Sequence, residues 1–129
     1  MTPAELSPQL AQLLDTAARL VAATDAEAIL LLVEQRLDWS RVRQVAGTAA
    51  VLVAAADEAD LDGAGDHGLQ KVPLDVAGLP VQERIAQALL ECVAAERIAP
   101  EARVVAVYSG FEAGTIDSVS LLRLEEHLG

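Results

Sequence analysis

Residues 104–124 read VVAVYSGFEAGTIDSVSLLRL, and this stretch decides the fold. Val104 to Val107 is an uninterrupted apolar run, the form of a strand covered on both faces, and Arg103 to Val107 is the strand it predicts. Ser109-Gly110 ends the run, Gly114 sits in the loop that follows, and Ser118 to Leu124 returns as a second strand. The connection is too short for a crossover helix, so the two strands are predicted to pair antiparallel.

Upstream, the chain reads as strand–helix units. Ser7-Pro8 supplies an N-cap hydroxyl and a proline for the first helical position. Leu10, Leu13, Leu14, Ala17, Leu20 and Val21 then recur at helical spacing, predicting a helix from Pro8 to Ala23. Ala28 to Glu34 (AILLLVE) and Ala50 to Ala55 (AVLVAA) are buried strands. Between them Asp38 caps a helix whose apolar face is Trp39, Val42, Val45 and Ala46, ended by Gly47. Asp57 caps a short acidic helix that stops at Gly63, Gly65 and Gly68. Leu69 to Leu74 is a third strand. Pro80 opens what reads as the longest helix, with Ile85, Leu89, Cys92 and Val93 on its buried face.

This order predicts an α/β three-layer sandwich with a mainly parallel five-stranded sheet, order 3-2-1-4-5, last strand antiparallel, and helices on both faces. The 129 residues form one domain: an N-terminal helical segment over 1–27, a core over 28–124, and the start of a linker over 125–129. The ending LEEHLG is read as running off the last strand with no closing element. Ligands in such sheets bind outside the carboxyl ends of the strands flanking the point where strand order reverses. Here those ends are Glu34-Gln35-Arg36 and Ser109-Gly110-Phe111, with Gly114 and Thr115 in the adjoining loop.

Composition narrows the function. Twenty acidic against nine basic side chains give a formal net charge of -11, with Lys71 the single lysine. Phosphate neutralisation needs clustered cations, so this domain is not expected to bind nucleic acid or an anionic membrane. The longest apolar block, Ala28 to Val33, is far shorter than a membrane span, and MTPAELSPQL lacks the pattern of a secretory signal. Cys92 is the only cysteine, so no internal disulfide forms and a cytoplasmic location is expected.

No catalytic motif emerges, and no cofactor or metal is expected. Gly63 aligned with the sixth position of an EF-hand loop would put Leu69 where the bidentate Glu belongs. His67 and His127 lack partners at metal-ligand spacing and read as surface residues. Cys92 reads as a core thiol. Residues 107–111 are Val-Tyr-Ser-Gly-Phe rather than a GxSxG elbow, so Ser109 either hydrogen-bonds a ligand or caps its own turn. Tyr108 and Phe111 either line the pocket or plug the end of the sheet. Trp39 packs in the core or at an interface. The last strand is an exposed edge able to pair with a second copy of the chain, so a homo-oligomer is expected.

Ser109-Gly110-Phe111, Gly114, Thr115 and the strand after them resemble the C-terminal α/β domain of pyruvate kinases, over roughly Ala28 to Leu124. In that family the domain is regulatory, binds a phosphorylated effector and helps to build the oligomer. The span from AILLLVE to the chain end also resembles the N-terminal region of bacterial proteins in which such a domain precedes a diadenylate cyclase domain of the DNA-integrity-scanning type. The resemblance implies a non-catalytic regulatory or assembly domain, a downstream cyclase domain making cyclic di-AMP, and a small-molecule effector, with nucleotides and phosphosugars the classes to test. A stand-alone metabolite-binding module of the same fold is the alternative. Asp62-Gly63-Ala64 matches one cyclase motif by letters, but the accompanying Arg-His-Arg is absent from these residues. The loop holds Glu112 and Asp117, with Arg36 the only cation read as near it, a poor set for a sugar bisphosphate.

Overall fold

A computed structural model describes residues 3–74 and 78–128. Five strands, β1 (Ala28–Leu32), β2 (Val51–Ala55), β3 (Gln70–Pro73), β4 (Arg103–Tyr108) and β5 (Ser118–Arg123), form one sheet in the order β3-β2-β1-β4-β5. β1 pairs parallel with both β2 and β4, β2 pairs parallel with β3, and β5 returns antiparallel to β4. The sheet order and strand directions are those read from the sequence.

Every residue of β1 and β2 is buried, which is why both read as unbroken apolar runs. Successive side chains alternate between the two faces, so each strand feeds two cores. On one face Ile29, Leu31, Val53, Val105 and Val107 pack beneath helices α1 (Pro8–Thr24) and α2 (Trp39–Ala46). On the other, Leu30, Leu52 and Val104 pack beneath α3 (Val81–Ala94), through Ile85, Ala88, Leu89 and Cys92. Full burial of each such aliphatic side chain contributes about 1.5–3 kcal/mol, and this repeated burial holds the three layers together.

The helix starts follow local chemistry. Ser7 Oγ accepts the Leu10 amide at 3.1 Å and Pro8 follows at the first helical position. Asp38 accepts the Arg41 amide at 3.3 Å at the start of α2. The longest helix is α1, with 17 residues, rather than the 14-residue α3. The acidic segment after Asp57 forms a 3₁₀ turn over Glu58–Leu61, followed by another over Ala64–His67, because glycines interrupt it before an α-helix can propagate.

The chain after β5 also differs from its expectation. Leu124 does not extend the strand. It begins a short helix, α4 (Leu124–Leu128), and is fully buried in the α3-side core. Residues 125–128 of the segment expected to run off as linker are therefore helical, anchored by the buried side chain of Leu124. The side chain of His127 and the whole of Gly129 lie outside the described residues. Among the described residues, no helix is long and apolar enough to cross a membrane.

Candidate ligand cleft at the strand 1 and strand 4 switch point

Because β1 and β4 are parallel neighbours whose chains continue to opposite sides of the sheet, β1 through α2 to β2 and β4 through a loop to β5, their C-terminal connections diverge and open a gap. A cleft of about 380 Å³ occupies it. The connection after β1 contributes Val33, Glu34, Gln35 and Leu37, and the β4–β5 loop contributes Ser109, Gly114, Thr115 and Ile116. The third wall is the N-terminal segment, with Glu5, Ser7 and Leu10.

That third wall was not read from the sequence. Ala4 forms a parallel bridge with Leu37: its amide donates to the Arg36 carbonyl at 2.9 Å, and its carbonyl accepts the Asp38 amide at 2.9 Å. The Gln9 side-chain amide donates to the Ile116 carbonyl at 2.9 Å, tying the start of α1 to the β4–β5 loop. Ser7-Pro8 marks a helix start in any sequence, but nothing in its spacing says which end of the sheet that helix start will cover.

Of the eight residues expected at this site, Glu34, Gln35, Ser109, Gly114 and Thr115 line the cleft. Arg36, Gly110 and Phe111 do not. Arg36 lines a neighbouring hollow with Asp38, Trp39, Asp62 and His67, because the chain turns away after Gln35 to pair with Ala4. Gly110 is packed under the Ser118 side chain and the Tyr108 ring; a Cβ there would overlap Ser118 Oγ and lie 3.1 Å from its Cβ. Phe111 is 96% exposed, so it neither lines the cleft nor plugs the sheet. Tyr108 points into the α3-side core instead, and its hydroxyl is 2.6 Å from Ser120 Oγ.

The loop is organised by Asp117. Its carboxylate accepts the amides of Gly110 (2.7 Å), Phe111 (3.2 Å) and Glu112 (2.9 Å) and the Ser118 hydroxyl (2.8 Å). These donors, the Gly110 amide foremost, hold the Asp117 carboxyl below its ordinary value of 3.8. Three converging backbone N–H groups form the kind of concavity that binds anions, and here the chain's own carboxylate fills it.

The electrostatics of the cleft are one-sided. Two acidic residues, Glu5 and Glu34, line it together with four hydroxyl or amide side chains (Ser7, Gln35, Ser109 and Thr115) and the apolar Leu10, Val33 and Ile116, and among the described residues no Lys, Arg or His lines it. Glu34 makes one ion pair, with Arg84 of α3 at 3.3 Å. Elsewhere, no group of three or more His, Cys, Asp or Glu able to hold a metal occurs among the described residues. The letters Asp62-Gly63-Ala64 form a turn that supports Trp39: Gly63 adopts φ 86°, and the indole N–H donates to the Asp62 carbonyl at 2.7 Å. Trp39 is thereby a core residue with its polar atom satisfied. His67 is exposed, and Cys92 is buried with its thiol pushed up to about 11 by desolvation, unsuited to nucleophilic work.

Comparison with solved structures places the fold. A pyruvate kinase from Cryptosporidium parvum superposes with a TM-score of 0.72 at 11% identity, covering 92% of this chain and 23% of that one. At that identity the likeness concerns the fold alone, which is of the pyruvate kinase C-terminal type, and the chain spans about a quarter of that enzyme's length. No curated protein matches the sequence. The profile of one family, described as "Probable sensor domain DacZ_P", matches residues 9–129. With nearly the whole chain inside that match, the protein belongs to the DacZ_P sensor-domain family.

Proposed function

We propose that this chain is the non-catalytic sensing domain of a diadenylate cyclase, and that its effector occupies the cleft between the C-terminal ends of β1 and β4. The observation that carries this reading is the cleft itself. It sits at the switch point of a mainly parallel sheet, and three chain segments far apart in sequence meet around it. The family description supports a sensing role, and the sequence resemblance supports a cyclase as the partner domain.

A ligand seated there would touch the N-terminal segment, the β1–α2 connection and the β4–β5 loop at once. It can therefore bias their relative positions by as much as its affinity differs between two arrangements. β5 is the sheet edge beside this loop, with Leu121 43% exposed, and self-association along it is the assembly through which such a bias would reach a partner domain.

The test has two arms. The coding sequence beyond Gly129 should contain a cyclase domain with Asp-Gly-Ala and Arg-His-Arg motifs. In the full-length protein, Thr115→Phe should fill the cleft and change the rate of cyclic di-AMP formation without altering cyclase residues. A stop codon directly after residue 129 would favour the stand-alone metabolite-binding module. An unchanged rate in the folded Thr115→Phe protein would remove the cleft from the regulatory account.

A further inference from the structure

We infer that the cleft, taken as the effector site proposed above, selects a small organic cation bearing an ammonium or guanidinium group, and that this ligand competes with Arg84 for Glu34. Three independent features of the molecule lead there.

The first is the charge of the lining. Glu5 and Glu34 bring two carboxylates to a cleft of about 380 Å³ whose lining carries no cation among the described residues, in a chain of net charge -11. A low-dielectric floor of Leu10, Val33 and Ile116 strengthens their field over that of carboxylates on an open surface. An anionic ligand would meet two carboxylates and no cationic side chain among the described residues, whereas a cation gains charge-assisted hydrogen bonds.

The second is that the adjoining loop has already used the donors an anion would need. The Gly110, Phe111 and Glu112 amides all point to Asp117. A phosphate could reach them only by expelling a carboxylate that accepts from four donors. What the loop offers the cleft instead is Ser109 and Thr115, whose hydroxyls can accept from an ammonium or guanidinium N–H.

The third is that Glu34 already receives a guanidinium, and holds it loosely. Arg84 reaches it through one contact of 3.3 Å, and Arg84 Nε is buried without a hydrogen-bond partner. Glu34 is 47% exposed and Arg84 20%, so the carboxylate end of the pair is the one open to solvent. A ligand cation approaching the open side of Glu34 would compete with that single contact. Displacement would release the only ion pair that links the cleft lining to α3 among the described residues, so occupancy is coupled to the opposite face of the sheet.

The experiment is calorimetric titration and thermal shift of the 129-residue chain with agmatine, glucose and glucose 6-phosphate at low ionic strength. Agmatine should bind and raise the melting temperature, and glucose 6-phosphate should do neither. Glu5→Gln and Glu34→Gln should each weaken agmatine binding by roughly tenfold, the scale of one lost charge-assisted hydrogen bond. Arg84→Met, which keeps the apolar stem, should tighten it. Glu58→Gln, outside the cleft, should leave binding unchanged, which separates site binding from attraction to an acidic protein.

Binding of glucose 6-phosphate in place of agmatine, or agmatine affinity equal in Glu34→Gln and Glu58→Gln, overturns the cationic class. Failure of this inference is distinguishable from failure of the site. If agmatine does not bind but Thr115→Phe still alters the full-length protein's output, the ligand class is wrong and the cleft stands.

Discussion

The Asp117 carboxylate accepts the Gly110 amide at 2.7 Å, seven residues back along the chain, and closes the β4–β5 loop on itself. With the Phe111 and Glu112 amides on the same carboxylate, the conformation of one wall of the cleft depends on a single ionised group. Its acidity is increased by those donors, so the contribution has a definite pH sense. The folded-state value is depressed, the stabilisation is fully present above the ordinary value of 3.8, and it is lost as pH falls below that value through the depressed one. Amide hydrogen exchange or chemical shifts of residues 110–112 should show the loop opening only below pH 3.8, and Asp117→Asn should remove that acid transition. A loop whose amides respond to pH equally in Asp117→Asn would contradict this account.

Gly110 is required for space rather than for its backbone angles. A methyl group there would run into Ser118 Oγ and lie 3.2 Å from the Tyr108 ring. Gly110→Ala is therefore expected to cost about 1–3 kcal/mol in urea denaturation, the range for overpacking a filled site. Adding Ser118→Gly, which removes both offending Ser118 atoms, should recover part of that loss. No recovery in the double variant would mean that the cost arises elsewhere.

Phe111 and Leu14 should behave as opposites despite similar hydrophobicity. Phe111 is 96% exposed, so Phe111→Ala should change stability by no more than about 0.5 kcal/mol. Leu14 is fully buried between α1 and the sheet, and Leu14→Ala should cost about 2–5 kcal/mol. Paired denaturation curves check both.

Cys92 provides an alkaline signature. Burial raises its thiol from 9.0 to about 11, so the unfolded chain loses this proton before the folded one does. The associated stability is present below pH 9 and disappears as pH rises from 9 to about 11. The difference in stability between the natural chain and Cys92→Ala should be constant at neutral pH and shrink over that window. At pH 8 a thiol reagent should label Cys92 only as fast as the protein opens.

The elements that could be read in advance are those whose signal is local. Ala28–Leu32 and Val51–Ala55 are covered on both faces, so burial appears directly as unbroken apolar runs. Ser7 and Asp38 cap helices through bonds to residues three positions on. Leu124 was misread because its apolar character suits either the end of a strand or the start of a helix, and only its place in the α3-side core decides between them. Arg36 was misread because a sequence cannot show that Ala4 pairs beside it and turns the chain away from the cleft.

By itself the amino-acid order determined the three-layer arrangement, the strand order and the end of the sheet at which the cleft opens. Apolar periodicity, connection length and the handedness of crossovers leave few alternatives. Only the tertiary structure decided the composition of that entrance. It brought Glu5 and Ser7 over the sheet, set Glu34 beside Arg84 and folded Asp117 onto the loop amides. The first two join residues remote in sequence through packing geometry. The third is a local contact of a general kind, an Asp accepting nearby amides, that any loop Asp could make and that only the folded loop selects.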